Sequence, residues 1–434
     1  MFRVHGILPY FVIKLNDNLE KRIEVTYLGL FIKNFKSHHE KTALVLSGGG
    51  SRGSYQIGVL KALKRMSIKI DTVVGTSAGA LNAAMVATGS PEIAEELWLS
   101  TTSKEIFDLD TDMPTLVQNL KEKLRVDDEV FGNLSLPPDQ FVGYARDIIN
   151  NGGVTGDGMA HLIDKYIDEK KIRKSPMEFG LVTVEYPSMT GYKLMKDDIP
   201  VGQLGLYIQA SASCFPLMQY TEINGKRFVD GGFCDNLPIS MALANKAEKI
   251  IAVDLEAVGK VHSKDIKLAE RNTDFYHIKS SFDLGNFMNF DPIQAKENIE
   301  YGYLDTLKSF DKLDGYEFFF KKNSFSEKDL PKADAAAEIF QCQRKQIYTE
   351  SMLIDELKMR VLDAQIALKK SPFNNISIHK ISKKLSKSAM TVFIAENILE
   401  KGDNSFFYHG HIEDMLSKEI KAAEYIISRN LLND

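Results

Sequence analysis

The chain is poor in the residues that most readily betray a function. It has only three cysteines, Cys214, Cys234 and Cys342. An odd, widely spaced set is no disulfide framework, suits a reducing compartment and fits no zinc spacing. Positive charge is not in excess: the formal net charge of −5 argues against general nucleic-acid binding. No apolar run approaches the ~20 residues that cross a bilayer. Histidine is sparse, at His5, His38, His39, His161, His262, His277, His379, His409 and His411. The pair His409 and His411 has no further ligand in view, so no metal is expected there. His161 falls on an amphipathic pattern and reads as a surface or packing residue. The apolar patch at the N-terminus is broken by Pro9, Lys14 and Asp17, with no small-residue cleavage site after it. The expectation is no cleaved leader and a cytosolic protein, with signal-less export left open.

What is present is ordinary globular composition, 44% hydrophobic and 26% charged, in a chain long enough for one large core and an appendage. The stretch Thr72–Ala84 holds Gly75-Thr76-Ser77-Ala78-Gly79 between an apolar β-prone run and an alanine-rich helical run. A serine on a sharp strand-to-helix turn is a nucleophile elbow. Gly75 and Gly79 keep that turn uncrowded. The helix that begins after the serine aims free N–H groups and its positive end at the site.

Upstream, Ala43–Leu46 reads as a buried strand, Gly48-Gly49-Gly50-Ser51-Arg52-Gly53 as a glycine loop, and Tyr55–Met66 as an amphipathic helix. The loop also satisfies the dinucleotide-binding spacing. That use needs an acidic residue at the end of the next strand, and Asp71 precedes its strand instead. The other use of such a loop is to offer backbone N–H groups to an oxyanion. Arg52 would hold the loop's shape or screen negative charge. Two successive βαβ units imply a parallel sheet with helices on its faces and ligands at the strands' carboxyl ends.

Residues 90–178, with the single tryptophan Trp98, interrupt the pattern and read as a helical cap. Strands resume at Phe179–Pro187 and Tyr192–Met195. Tyr220–Asp230 reads as a hairpin turning at Asn224-Gly225, delivering Asp230-Gly231-Gly232, with Asn236 and Pro238 leading into a helix and a strand at Lys249–Leu255. Cys214 and Cys234 flank this region and read as inert thiols. Ala333–Lys370 reads as one long helix, because Phe340, Ile347, Ile354, Val361 and Leu368 recur every seventh residue with Leu357 and Ala364 between them, although Gln343 and Glu350 interrupt the seam. Two more amphipathic helices are expected at Ile381–Leu399 and Ile412–Leu432. Lys380, Lys383, Lys384 and Lys387 form a basic cluster, a solvated face or one that meets an anionic membrane.

Taken together, the chain resembles the patatin-like phospholipases. The glycine loop matches their G-G-G-x-R/K-G at Gly48–Gly53. The elbow matches G-T-S-A-G at Gly75–Gly79, and Ala80–Ala83 matches the A-L-N-A that follows. Asp230-Gly231-Gly232, Asn236 and Pro238 match D-G-G followed by N-x-P. Their A-S-x-x-x-P is similar to Ala212–Pro216 when the frame starts at Ala212-Ser213, and Gly302-Tyr303-Leu304-Asp305 resembles G-Y-x-D. The resemblance covers about residues 41–322.

The resemblance implies a three-layer α/β/α domain with a mainly parallel sheet. It implies a Ser77–Asp230 dyad that needs no histidine, an oxyanion hole from Gly48, Gly49, Gly50, Arg52, Gly53 and Ala78, and supporting glycines at Gly75, Gly79, Gly231 and Gly232. It implies hydrolysis of phospholipid or lysophospholipid esters at a membrane surface, through an acyl-enzyme and with no cofactor. Residues 1–40 are expected as an extension and 323–434 as an all-α bundle that could capture an activator or protein partner. An acyltransferase or thioesterase with the same dyad, or a partner-gated regulatory protein, stands as the alternative.

Overall fold

The computed structural model describes residues 40–107 apart from 90, residues 155–370 apart from 216, and residues 385–432. The expectations for residues 1–40 and for the middle of the 90–178 segment lie outside those residues. So do Lys380, Lys383 and Lys384.

The core is an eight-stranded sheet, ordered β5-β6-β3-β2-β1-β7-β8 with β4 on the other edge of β3. The strands are β1 (Thr42–Leu46), β2 (Thr72–Thr76), β3 (Glu178–Tyr186), β4 (Thr190–Met195), β5 (Thr221–Ile223), β6 (Lys226–Asp230), β7 (Lys249–Asp254) and β8 (Asp274–Lys279). The pairs β1–β2, β1–β7, β2–β3 and β7–β8 are parallel. Strand residues alternate between two apolar layers, as the period of two requires. Leu44, Leu46, Val73, Phe179, Leu181, Ile251 and Val253 join one core cluster, with helices Ser54–Arg65, Ala78–Ala87 and Pro292–Ser309. Ala43, Val45, Val74, Val182, Ile250 and Ala252 join the other, with helices Ile239–Ala244 and Ser263–Asn272. The result is a three-layer α/β/α architecture.

One feature of the topology brings distant motifs together. β3 carries β4 on one edge and both β2 and β6 on the other. β2 runs parallel to β3 and ends with Thr76 opposite Val182. β6 runs antiparallel and ends with Asp230 opposite the next residue, Thr183. The carboxyl ends of β2 and β6 therefore meet head-on.

The G-Y-x-D segment has a packing role. A Cβ on Gly302 would lie 2.0 Å from the Tyr55 carbonyl oxygen, so glycine lets helix Pro292–Ser309 lie against helix Ser54–Arg65. Asp305 accepts the Tyr55 hydroxyl at 3.0 Å.

The C-terminal region is helical but departs from expectation. There is no single helix over Ala333–Lys370. Helix Leu330–Ile339 ends at Phe340, Gln341 takes φ 54°, and Ile347–Tyr348 form a short strand parallel to Phe319–Lys321. A new helix, Glu350–Lys369, starts behind Thr349, whose side chain accepts the Met352 N–H. The interruptions at Gln343 and Glu350 marked this break. The later part of the seam holds: Leu357, Val361, Ala364 and Leu368 are buried. Helices Lys387–Lys401 and Ser417–Ser428 complete one apolar core with them. Among the described residues, no helix is long and apolar enough to cross a membrane.

Candidate active site

Ser77 sits between β2 and helix Ala78–Ala87 with φ 55° and ψ −127°. A non-glycine residue rarely takes positive φ, and the strain is held by its surroundings. A Cβ on Gly75 would lie 2.2 Å from the Gly79 carbonyl oxygen, and one on Gly79 would lie 2.3 Å from that of Leu46. The two glycines thus let helix, elbow and β1 touch backbone to backbone. The Ser77 N–H donates to Ser211 Oγ at 3.0 Å, and Ser211 Oγ donates to the Val182 carbonyl at 2.6 Å. One buried hydroxyl therefore ties the elbow to β3.

Asp230 ends β6 and is 7% exposed. Its carboxylate lies near enough to the Ser77 hydroxyl for that hydroxyl to lower its pKa, and its Oδ1 accepts the Gly232 N–H at 2.7 Å. Its own N–H donates to the Ser213 carbonyl at 2.9 Å. Burial raises its pKa to about 6 from an ordinary 3.8, against the lowering effect of the Ser77 hydroxyl and the Gly232 N–H.

The glycine loop is only partly open. The Gly48 N–H donates to the Asn236 carbonyl at 3.1 Å, and Asn236 Nδ2 donates back to the Gly48 carbonyl at 3.3 Å. Gly48 is therefore occupied as a donor, and Asn236 clamps the loop. Arg52 is a clamp too: its N–H donates to the Gly49 carbonyl at 3.2 Å and its Nε to the Gly285 carbonyl at 2.9 Å. Gly50 takes φ 55°, and a Cβ there would lie 2.1 Å from the Phe287 carbonyl oxygen. Gly53 lies under Trp98, whose ring a Cβ would approach to 2.7 Å. Among the described residues, no hydrogen bond engages the N–H groups of Gly49, Gly50 or Ala78, and all three residues line the same cavity as Ser77 and Asp230.

That cavity encloses about 370 Å³. Its walls are apolar, with Trp98, Met159, Leu217, Met218 and Phe290 among them. Trp98 and Phe290 stack with ring centroids 5.8 Å apart. Gly232 lines it, while a Cβ on Gly231 would lie 2.2 Å from the Val182 carbonyl oxygen, which places that glycine against β3. No histidine is among its described lining residues: His161 is exposed on helix Asp157–Tyr166, His262 faces the Cys234 carbonyl at 2.9 Å and His277 faces Asp254 at 3.1 Å. Cys214 does line the cavity, but burial, with the Asp230 charge beside it, pushes its thiol up to about 12. It remains a neutral thiol rather than a nucleophile.

Sequence reasoning missed Ser211. The A-S-x-x-x-P frame starting at Ala212 selects Ser213, whereas the hydroxyl bound to the elbow belongs to Ser211. The signal was the doubled Ala-Ser of Ala210–Ser213, in which both serines are buried and both are used. The clamp role of Asn236 and the wall role of Trp98 were equally unread.

Residues 44–243 match the family model described as patatin-like phospholipase. Patatin-like phospholipase domain-containing protein 6 of Mus musculus is 27% identical over 217 residues, 49% of this chain and 13% of that protein. Lysophospholipase NTE1 of Coccidioides immitis is 26% identical over 228 residues, 50% of this chain and 12% of that protein. The match thus spans about an eighth of the length of these curated relatives. Among solved structures, VipD from Legionella pneumophila overlays 90% of this chain and 85% of its own at 15% identity and a TM-score of 0.36, too weak a likeness to carry any argument. Residues 44–243 are therefore similar to the patatin-like phospholipase family, as the motifs of the glycine loop, the elbow and Asp230 imply.

Proposed function

We propose that this protein is a lipid acyl hydrolase of the phospholipase A or lysophospholipase type, acting through Ser77 and Asp230. The observation that carries the reading is the Asp230 carboxylate. It is buried, raised to about 6, and shares the wall of an apolar cavity with a strained serine whose hydroxyl acts on its pKa. A carboxylate with that pKa is a far better base near neutrality than an ordinary aspartate.

The acyl chain lies in the cavity with its ester carbonyl at Ser77. Ser77 Oγ attacks the carbonyl carbon as its proton passes to Asp230. The oxyanion is held by the N–H groups of Gly49, Gly50 and Ala78, aided by the start of helix Ala78–Ala87. The tetrahedral adduct collapses, the C–O bond to the lipid alcohol breaks, and Asp230 returns its proton to that alcohol. Water then attacks the acyl-enzyme with Asp230 again as base, releasing the fatty acid and restoring Ser77.

The test is to incubate wild type and Ser77→Ala with mixed phospholipid and lysophospholipid vesicles and identify products by mass spectrometry. Free fatty acid with the matching deacylated lipid, from wild type alone, is the expected result. Equal products from both would sink the reading.

A further inference from the structure

Behind the cavity wall runs a chain of buried side-chain hydrogen bonds that the chemistry above does not use. Trp98 Nε1 donates to Asn82 Oδ1 at 2.8 Å. Asn82 Nδ2 donates to the Gly53 carbonyl at 2.9 Å and to Gln56 Oε1 at 2.8 Å. Gln56 Nε2 donates to the Ser47 carbonyl at 2.8 Å. Asn82 and Gln56 are fully buried, and Trp98 is nearly so.

The direction of the chain is fixed by its first member. An indole N–H can only donate, so Asn82 must turn its oxygen to Trp98 and its NH₂ to Gly53 and Gln56. Gln56 must then accept from Asn82 and donate to Ser47. Every polar atom along the chain is used once its sense is set, which leaves a single arrangement.

What the chain holds is specific. Ser47 and Gly53 bracket the glycine loop, and both of their carbonyls are gripped from this one network. Asn82 lies on the helix that begins immediately after Ser77. Trp98 is cavity wall. The network therefore fixes both ends of the loop against the helix of the elbow, and fixes both to the wall of the cavity.

We propose that Asn82 is a positioning residue: with Gln56 it sets the Gly49 and Gly50 N–H groups relative to Ser77, so that they meet the oxyanion rather than the ground-state carbonyl. This rests on the function proposed above. Neither Asn82 nor Gln56 lines the cavity, so releasing them should spare substrate binding and slow the chemical step.

The experiment compares Asn82→Leu and Gln56→Met with wild type, using steady-state hydrolysis of p-nitrophenyl butyrate and amide hydrogen exchange over residues 47–53. Asn82→Leu should lower kcat about 10- to 100-fold with KM within about two-fold, short of the ~10²–10³-fold typical of losing a whole oxyanion donor. Gln56→Met, which frees only the Ser47 end, should lower kcat less. Both should speed exchange in the loop. A KM rise with kcat intact, or a kcat loss that only follows the folded fraction, would overturn the proposal, as would unchanged kcat and unchanged exchange. Gln56→Met decides the matter if Asn82→Leu does not fold. If wild type hydrolyses no ester, the functional reading has failed, and exchange in the loop still reports on the positioning role.

Discussion

The elbow region and the C-terminal helical region are both well packed, yet they are built in opposite ways. Around Ser77 the backbone is strained, glycines sit where any Cβ would strike a carbonyl, and a buried carboxylate carries a raised pKa. In the helical region, buried polarity is spent on holding the chain. Asp334, 4% exposed, accepts the N–H groups of Tyr316, Glu317 and Phe318 at 3.0–3.2 Å. Its apolar core is made of Leu353, Leu357, Val361 and alanines from facing helices. The first region stores strain at the site proposed for the chemistry; the second offsets chain entropy mainly by apolar burial.

The sharpest way to break this contrast is in the proposed dyad. Ser77→Ala and Asp230→Asn should each cost at least ~10³-fold in kcat on a short-chain ester without lowering the melting temperature. A large loss of fold with activity per folded molecule intact would place these residues in the structural class instead. Next in size are backbone and scaffold changes. Gly79→Ala puts a Cβ 2.3 Å from the Leu46 carbonyl oxygen and should destabilise by about 3 kcal/mol or more in urea unfolding. Asp334→Ala strands three N–H donors and should cost about 2–4 kcal/mol, with kcat per folded molecule unchanged.

A smaller effect runs the other way. The folded pKa of Asp230 is raised from 3.8 to about 6. A carboxyl held more strongly protonated in the folded state favours folding at low pH, and that contribution is lost as pH rises from the unfolded value to the folded one. Above about pH 6 the buried anion opposes folding by up to about 3 kcal/mol. Asp230→Asn should therefore be more stable than wild type at neutral pH, with the gain shrinking toward pH 4. A variant less stable at every pH would show that the carboxylate is structural.

The same contrast explains what the sequence made legible. Gly75, Gly79 and Gly50 are read easily because a close approach or a positive φ leaves no other residue, so geometry writes itself into spacing. Asp230 was legible through the glycines after it and the Asn224-Gly225 turn before it. Ser211 was not, because its bond to Ser77 spans 134 residues and either serine of the doubled Ala-Ser fits a local pattern. Nor was the use of the Gly48 N–H by Asn236, since a motif names a loop but not its individual donors. In the helical region the seven-residue repeat runs across Gln341–Thr349 as though the helix did, while a positive φ at Gln341 and a cap at Thr349 end one helix and start another.

In the proposed mechanism a buried aspartate, unaided by histidine, activates the serine. The pH dependence of kcat for wild type between about pH 4.5 and pH 8 tests it most directly. The wild-type profile should show an acidic limb with a midpoint near 6, absent from the residual activity of Asp230→Asn. A kcat that is flat across that range, or a limb that survives in Asp230→Asn, would contradict it.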